Sequence, residues 1–315
     1  MIVTLAPPRL FTEADHMRFT ERTGETLHIV HDVKSNPDLL AVAEILLIFG
    51  ELNPETLQAC PRLKWLFSLS AGMDLLPWAD LVERGIVVSN VRGIHGTQMA
   101  EHTIGIMIAF SRQLNWCYRS QLRREWRSPW TVNELAGQTL SIIGAGSIGR
   151  EIAKKAKAFD MKVVGIKRNP EPLPYFDEVW GLDQLHRVLG AADYHTLITP
   201  LTEATYHLIG ATEFQAMKPT SIFINISRGD TVDEAAMLAA LQNGEIAGAG
   251  LDVFSEEPLP SSSPFWELPN VIITPHSSGK SPYYMQRALE LFTESLLAYR
   301  QGKRLPNQID PAQQY

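Results

Sequence analysis

At 315 residues the chain has the length of about two ordinary domains. Hydrophobic residues make up 45% and charged residues 20%, which excludes a disordered chain because that much apolar surface can offset the entropy of ordering. A formal net charge of −7 argues against nucleic acid and anionic membrane as partners. The two cysteines, Cys60 and Cys117, form neither a zinc spacing nor a disulfide framework; they fit a reducing cytoplasm, and no metal site is expected. The N-terminus lacks the basic stretch and apolar run of a signal peptide. The longest apolar segment, 39–50, is interrupted by Glu44 and falls short of the ~20 residues of a membrane span.

In chain order, short apolar runs at 1–5, 27–30, 44–50, 63–69 and 86–90 read as strands, with helices expected near 12–22, 36–43, 54–60 and 74–84. Strand and helix in alternation imply parallel strands joined by crossover helices, hence a first small α/β domain. A single long helix is expected over 98–121, from the spacing of Met99, Ile104, Met107, Ile108 and Leu114. An aperiodic arm rich in Trp and Arg, 124–138, follows it. Alternation then resumes, with strands at 139–144, 162–167, 194–199, 221–226, 247–253 and 271–274 and helices near 147–159, 182–190, 211–217 and 233–243. This second block reads as a doubly wound sheet. A last helix, near 282–301, carries Met285, Ala288, Leu289, Phe292, Leu296 and Leu297 at helical spacing.

The strongest local signal is Gly144-Ala145-Gly146-Ser147-Ile148-Gly149, which ends one strand, opens a helix and precedes another strand. In that context the glycines serve a tight turn, close approach of a pyrophosphate, and close helix–strand packing. The helix N-terminus adds N–H groups and positive partial charge for the phosphates. NAD sites place a carboxylate about 20 residues further on to accept the ribose hydroxyls. Here Lys167 and Arg168 stand instead, either as a solvated charged turn or as partners of a 2′-phosphate, so NADP(H) is favoured with NAD(H) as the alternative.

Three further strand ends carry functional groups: Asn225 to Asp230 with Arg228, Leu251 to Pro258 with Asp252, Glu256 and Glu257, and Thr274-Pro275-His276. In open parallel sheets ligands bind beyond the carboxyl ends of the strands, where all three could converge. An Arg to grip a carboxylate, a His to exchange the hydroxyl proton and an acid to orient the His are what hydride transfer to a 2-keto acid requires.

With these segments in place, the chain resembles the D-isomer-specific 2-hydroxyacid dehydrogenases over essentially its whole length. The resemblance rests on SLSAGMD (68–74), GAGSIG, TPLTEAT (199–205), NISRGD (225–230), LDVFSEEP (251–258) and TPH (274–276), in the family's order. It implies two doubly wound α/β domains: a discontinuous, flavodoxin-like substrate domain (1–95 and 283–315) and a Rossmann nucleotide-binding domain (96–282), with the active site in the cleft between them. It implies that Arg228 binds the substrate carboxylate, that Glu257 rather than Glu256 pairs with the acid/base His276, and that Ala71 and Gly72 hold the substrate through backbone amides. It places Asp252 near the nicotinamide carboxamide, with Thr199, Pro200, Ile226, Ser227 and Ser278 along the cofactor. Phe49 reads either as core packing or as a substrate-pocket residue. A homodimer built on the 98–121 helix and the arm is implied, while His95 and His102 match no catalytic position and are read as structural. Among subfamilies the glyoxylate/hydroxypyruvate reductases fit best; a phosphoglycerate dehydrogenase fits less well, since no regulatory extension follows residue 315. A nucleotide-sensing, corepressor-like protein on the same fold is the alternative from another class, against which the substrate segment SAGMD argues.

Overall fold

The computed structural model describes residues 1–7, 10–73, 75–129 and 131–311. Asp74 of the SLSAGMD segment and Trp130 of the arm therefore lie outside the described residues. The chain divides into two compact units, Met1–Ile94 with Ser281–Tyr315, and His95–Lys280. The first unit alternates β1 (Ile2–Leu5), α1 (Glu13–Thr23), β2 (Leu27–Val30), α2 (Pro37–Ala41), β3 (Ile45–Ile48), α3 (Pro54–Ala59), β4 (Trp65–Ser68), α4 (Trp78–Glu83) and β5 (Val87–Asn90). The second runs α5 (Gly96–Ser111), α6 (Leu114–Leu122), β6 (Thr139–Ile143), α7 (Ser147–Lys157), β7 (Lys162–Ile166), β8 (Glu178–Trp180), α8 (Leu185–Ala191), β9 (Tyr194–Leu197), α9 (Ala211–Ala216), β10 (Ile222–Asn225), α10 (Glu234–Asn243), β11 (Gly248–Leu251) and β12 (Val271–Ile273). The chain then re-enters the first unit as α11 (Tyr284–Arg300).

Among the described residues the strands form two sheets, both parallel throughout. The first has five strands in the order β2-β1-β3-β4-β5. Its central strands are buried at every position, as expected when helices cover both faces. On one face Trp65, Phe67 and Phe292 pack together, with the Phe67 and Phe292 ring centres 5.0 Å apart, and this locks α11 onto the sheet. Arg300 of α11 closes the contact with a two-pronged ion pair to Glu25, at 2.6 and 2.8 Å. Local signals set the helix starts: Thr12 and Asp15 form a capping box on α1, and Asn53 caps α3 with Pro54 in its first turn.

The second sheet has seven strands in the order β12-β11-β10-β9-β6-β7-β8. The chain winds outward from β6 to β8, returns to the centre at β9 and winds out the other way to β12. The winding therefore reverses between β6 and β9, the place where such sheets open a crevice at their carboxyl edge. Two apolar layers flank the sheet, one containing α5 and α7, the other α8, α9 and α10.

The single helix expected over 98–121 is two helices. At Gln113 the backbone turns left-handed (φ 57°), and the Gln113 side-chain amide donates to the Phe110 carbonyl at the end of α5. The helix expected near 182–190 starts as a 3-10 turn, Leu182–Gln184, before α8. The three-residue edge strand β8 carries too few residues for an alternation pattern to register. No helix of the described residues is long and apolar enough to cross a membrane.

Candidate active site

The glycine turn lies at the reversal point of the seven-stranded sheet. Gly144 has φ +104°, and a Cβ there would lie 2.6 Å from the Ile198 carbonyl oxygen, so the β6 turn and the end of β9 touch through a position only glycine can occupy. Gly149 is close-packed as well: a Cβ would meet the Gly144 carbonyl at 3.0 Å and Ile142 at 3.1 Å. Gly146 differs. The nearest atom to a Cβ there is 3.9 Å away, so among the described residues no close approach demands glycine.

Ser147 and Ile148 form the first turn of α7, whose start has no side-chain cap. Its leading N–H groups are thus of the kind a pyrophosphate satisfies. The buried Thr199 hydroxyl beside the turn has no hydrogen-bond partner among the described residues. An open glycine, an uncapped helix start and an orphaned hydroxyl fit a dinucleotide. Pro200 is exposed, and its carbonyl accepts the Thr205 hydroxyl at 2.6 Å.

Lys167 and Arg168 follow β7 at the sheet's carboxyl edge, Lys167 half-buried and Arg168 exposed. Lys167 is not a lone cation, since it pairs with Glu171, whose carboxyl it holds below the ordinary range by hydrogen bond and charge. The sequence reading missed Glu171, because the two sit four apart in a loop rather than on a helix face.

Arg228 leaves β10 through a rigid turn. Asn225 Nδ2 donates to the Arg228 carbonyl at 3.1 Å, the Thr231 hydroxyl donates to the same oxygen at 2.6 Å, and the Asn225 amide oxygen accepts the Ser227 hydroxyl and N–H. Ile226 and Ser227, expected along the cofactor, are both buried, Ile226 in the apolar layer against α5. A Cβ on Gly229 would lie 2.0 Å from the Phe254 carbonyl carbon, so the Arg228 turn presses directly on the loop after β11. Near it, burial and the added charge of Arg228 push the His95 imidazole down to about 4.

His276 and Glu257 meet. His276 Nδ1 lies 2.7 Å from Glu257 Oε2, and Glu257 Oε1 accepts the Phe254 N–H at 3.0 Å, which aims the carboxylate at the ring. A carboxylate can only accept, so Nδ1 carries the proton and Nε2 is left for another partner. His276 is half-exposed and has φ +46°, a left-handed conformation unusual for a non-glycine residue. Its N–H donates to the Asp252 carbonyl at 2.8 Å. The Asp252 carboxylate, wholly buried, accepts the Ser277 N–H at 2.8 Å and the Ser278 N–H at 2.9 Å. Asp252 and Ser278, both expected near the cofactor, are thus joined to each other by the loop that carries His276.

Phe49, Ala71 and Gly72 belong to the first unit. The loop from Leu69 to Gly72 is held from three sides: the Tyr284 hydroxyl donates to the Leu69 carbonyl at 2.8 Å, Asn90 Nδ2 donates to the Ala71 carbonyl at 3.0 Å, and the Ser68 hydroxyl donates to the Ser70 carbonyl at 3.1 Å. Phe49 follows β3 and is 53% exposed, which overturns its reading as core packing; its ring lies 5.9 Å from that of Tyr284.

A doubly wound parallel sheet with a glycine turn at its reversal point defines a nucleotide-binding α/β protein. The family model described as D-isomer specific 2-hydroxyacid dehydrogenase, NAD binding domain, matches residues 104–278. A glyoxylate reductase of Korarchaeum cryptofilum is 33% identical over 278 residues, covering 85% of this chain and 82% of the relative. A glycerate dehydrogenase of Methylorubrum extorquens is 35% identical over 261 residues, covering 80% and 81%. Among solved structures, a D-isomer specific 2-hydroxyacid dehydrogenase family protein from Aeromonas salmonicida superposes with a TM-score of 0.85 at 32% identity, covering 98% of both chains. An NADPH-dependent glyoxylate/hydroxypyruvate reductase from Sinorhizobium meliloti, in complex with NADP and sulfate, superposes with a TM-score of 0.84 at 26% identity, covering 100% of this chain and 99% of the other. The chain belongs to the D-isomer specific 2-hydroxyacid dehydrogenase family and is an oxidoreductase with an NAD(P)-binding domain.

Proposed function

We propose that this protein reduces small 2-keto acids of the glyoxylate and hydroxypyruvate type to D-2-hydroxy acids, with NADPH preferred over NADH. The observation that carries the reading is the His276–Glu257 pair at 2.7 Å, with Arg228 on the neighbouring turn. Arg228 offers a planar fork to the substrate carboxylate. Glu257 holds the Nδ1–H of His276, so Nε2 is the atom that delivers a proton to the ketone oxygen as it becomes a hydroxyl. Ala71 and Gly72, in the first unit, are read as substrate-binding through their backbone N–H groups. The nicotinamide cofactor, when bound, supplies the hydride.

Gly144, Gly146, Gly149, Ser147, Ile148 and Thr199 would hold its pyrophosphate end, and Lys167 with Arg168 a 2′-phosphate. The names of the relatives at about a third identity support the substrate class, and the reductase from Sinorhizobium meliloti, in complex with NADP, supports the cofactor. A homodimer is part of the reading. Leu114, Tyr118 and Leu122 form an exposed apolar stripe on one face of α6, continued by the fully exposed Trp126. The test is a spectrophotometric screen of the purified protein with NADPH and NADH against glyoxylate, hydroxypyruvate, pyruvate and larger 2-keto acids. Oxidation of NADPH by the two small acids at the highest kcat/KM is the expected result. No turnover with any acid, despite cofactor binding, would replace the enzyme by a nucleotide-binding protein.

A further inference from the structure

Besides the two loop N–H groups, the buried Asp252 carboxylate accepts the Thr274 hydroxyl, Oγ1 to Oδ1 at 2.5 Å. Behind Thr274 stands His102 of α5, with Nε2 3.2 Å from the Thr274 Oγ1 and 3.9 Å from Asp252 Oδ1. A hydroxyl has one proton. Thr274 commits it to a carboxylate oxygen that can only accept, so the contact with His102 requires ring Nε2 to be the donor. Burial holds the His102 imidazole below its ordinary range, against the pull of Asp252, and this agrees with a neutral ring carrying its proton on Nε2. The result is a directed network: His102 Nε2–H donates to Thr274, the Thr274 O–H donates to Asp252, and the N–H groups of Ser277 and Ser278 donate to the same carboxylate.

That network brackets His276 on both sides. Thr274 precedes it by two residues, Ser277 and Ser278 follow it, and its own N–H is held by the Asp252 carbonyl. His276 needs such bracketing, because a histidine at φ +46° keeps that conformation only where its surroundings impose it. Its half-exposed side chain has Glu257 as its side-chain anchor. We infer that His102 is a positioning residue for His276, acting through Thr274 and Asp252 from the helix beneath. The inference rests on the reading of His276 as the acid/base.

Steady-state reduction of glyoxylate by NADPH, with His276→Ala as reference, tests it. His102→Ala lowers kcat about tenfold or more while KM for glyoxylate and NADPH binding, read by fluorescence quenching, stay within twofold, since displacing a catalytic group by a fraction of an ångström acts on the chemical step. His102→Gln, whose amide N–H can replace Nε2–H, recovers most of that loss. Thr274→Val, which keeps volume and removes the hydroxyl, reproduces the loss, and the double variant is no worse than either single one. Should His102→Ala fail to fold, recovery in His102→Gln against loss in Thr274→Val makes the same comparison. Wild-type kcat in His102→Ala or Thr274→Val, a loss the glutamine does not recover, or losses that multiply in the double variant would each overturn the inference. Full activity of His276→Ala would instead remove the reading beneath it.

Discussion

Both sheets reverse their winding once, the five-stranded one between β1 and β3 and the seven-stranded one between β6 and β9, and the chain leaves the two places differently. After β6 it turns through Gly144, pressed against the end of β9, and leaves Gly146 open and the Thr199 hydroxyl orphaned. After β3 it places Phe49, a large exposed ring packed on Tyr284, beside a loop whose carbonyls are pinned by Tyr284, Asn90 and Ser68. At the seven-stranded edge the glycine turn leaves backbone N–H groups open, with the polar side chains of Lys167, Arg228 and His276 at neighbouring strand ends. The other presents the exposed ring of Phe49, packed on Tyr284. The same winding rule thus ends in two different surfaces, one with an open glycine turn, the other with an exposed aromatic ring.

If chemistry resides on the seven-stranded edge and shape selection on the other, substitutions should divide accordingly. His276→Ala should lower kcat by at least ~10²-fold, the lower end for general acid–base catalysis, with NADPH binding intact. Pre-steady-state and steady-state absorbance at 340 nm would measure it, and a fall of less than fivefold would move the proton transfer elsewhere.

The interior of the seven-stranded sheet offers a contrast with its own edge. His195 on β9 is fully buried, bonded to Ser141 at 2.8 Å, and pushed down by burial to about 3. An unfolded histidine titrates near 6.5, so the unfolded chain takes up the proton first. This contribution is whole above pH 6.5 and drains as pH falls toward 3, by about 2 kcal/mol at pH 5. Urea midpoints at pH 7 and pH 5 should differ in that direction, and by less in His195→Leu. Equal pH dependence in the two proteins would show that another group carries the acid sensitivity.

Cofactor choice sharpens the comparison further. Lys167→Asp should reverse a preference for NADPH that is worth about tenfold, one charge-assisted hydrogen bond at the lower end of its range. Glu171→Gln should widen the wild-type preference, because it releases Lys167 from its present partner. Wild-type kcat/KM values for NADPH and NADH within twofold of each other would discard the 2′-phosphate assignment. The smallest effect belongs to the other edge. Phe49→Ala should change stability by no more than about 0.5 kcal/mol, as for an exposed residue, while altering the ranking of keto acids by side-chain size. A change in kcat without a change in ranking would place the ring in the chemistry instead.

Much of the fold is legible in the sequence. Fully buried parallel strands read as apolar runs, and their carboxyl ends were visible because Gly144, Arg228, Asp252 and His276 each follow such a run. What escaped has identifiable causes. The break at Gln113 carries no glycine or proline, and a side chain that caps its own helix leaves no periodic mark. The pairing of Lys167 with Glu171 depends on a loop conformation. His102 meets Thr274 across 172 residues of chain, a separation over which spacing says nothing. The sequence left Phe49 open between core and surface because an aromatic residue at the end of a buried strand has the same signature whether the ring turns inward or out; its ring is exposed.

β12 has three residues, stands at the rim of its sheet and, among the described residues, pairs with β11 alone. Rim strands with so few backbone partners are the first to open in native-state fluctuations. His276 hangs from this one, so the protein should lose turnover in dilute urea before it loses its circular dichroism, with amide exchange at 271–273 outpacing that of β9 and β10. Inactivation and unfolding are then separate events. Loss of turnover ahead of the circular dichroism would set the working lifetime by the fraying of one short strand rather than by the free energy of the whole fold.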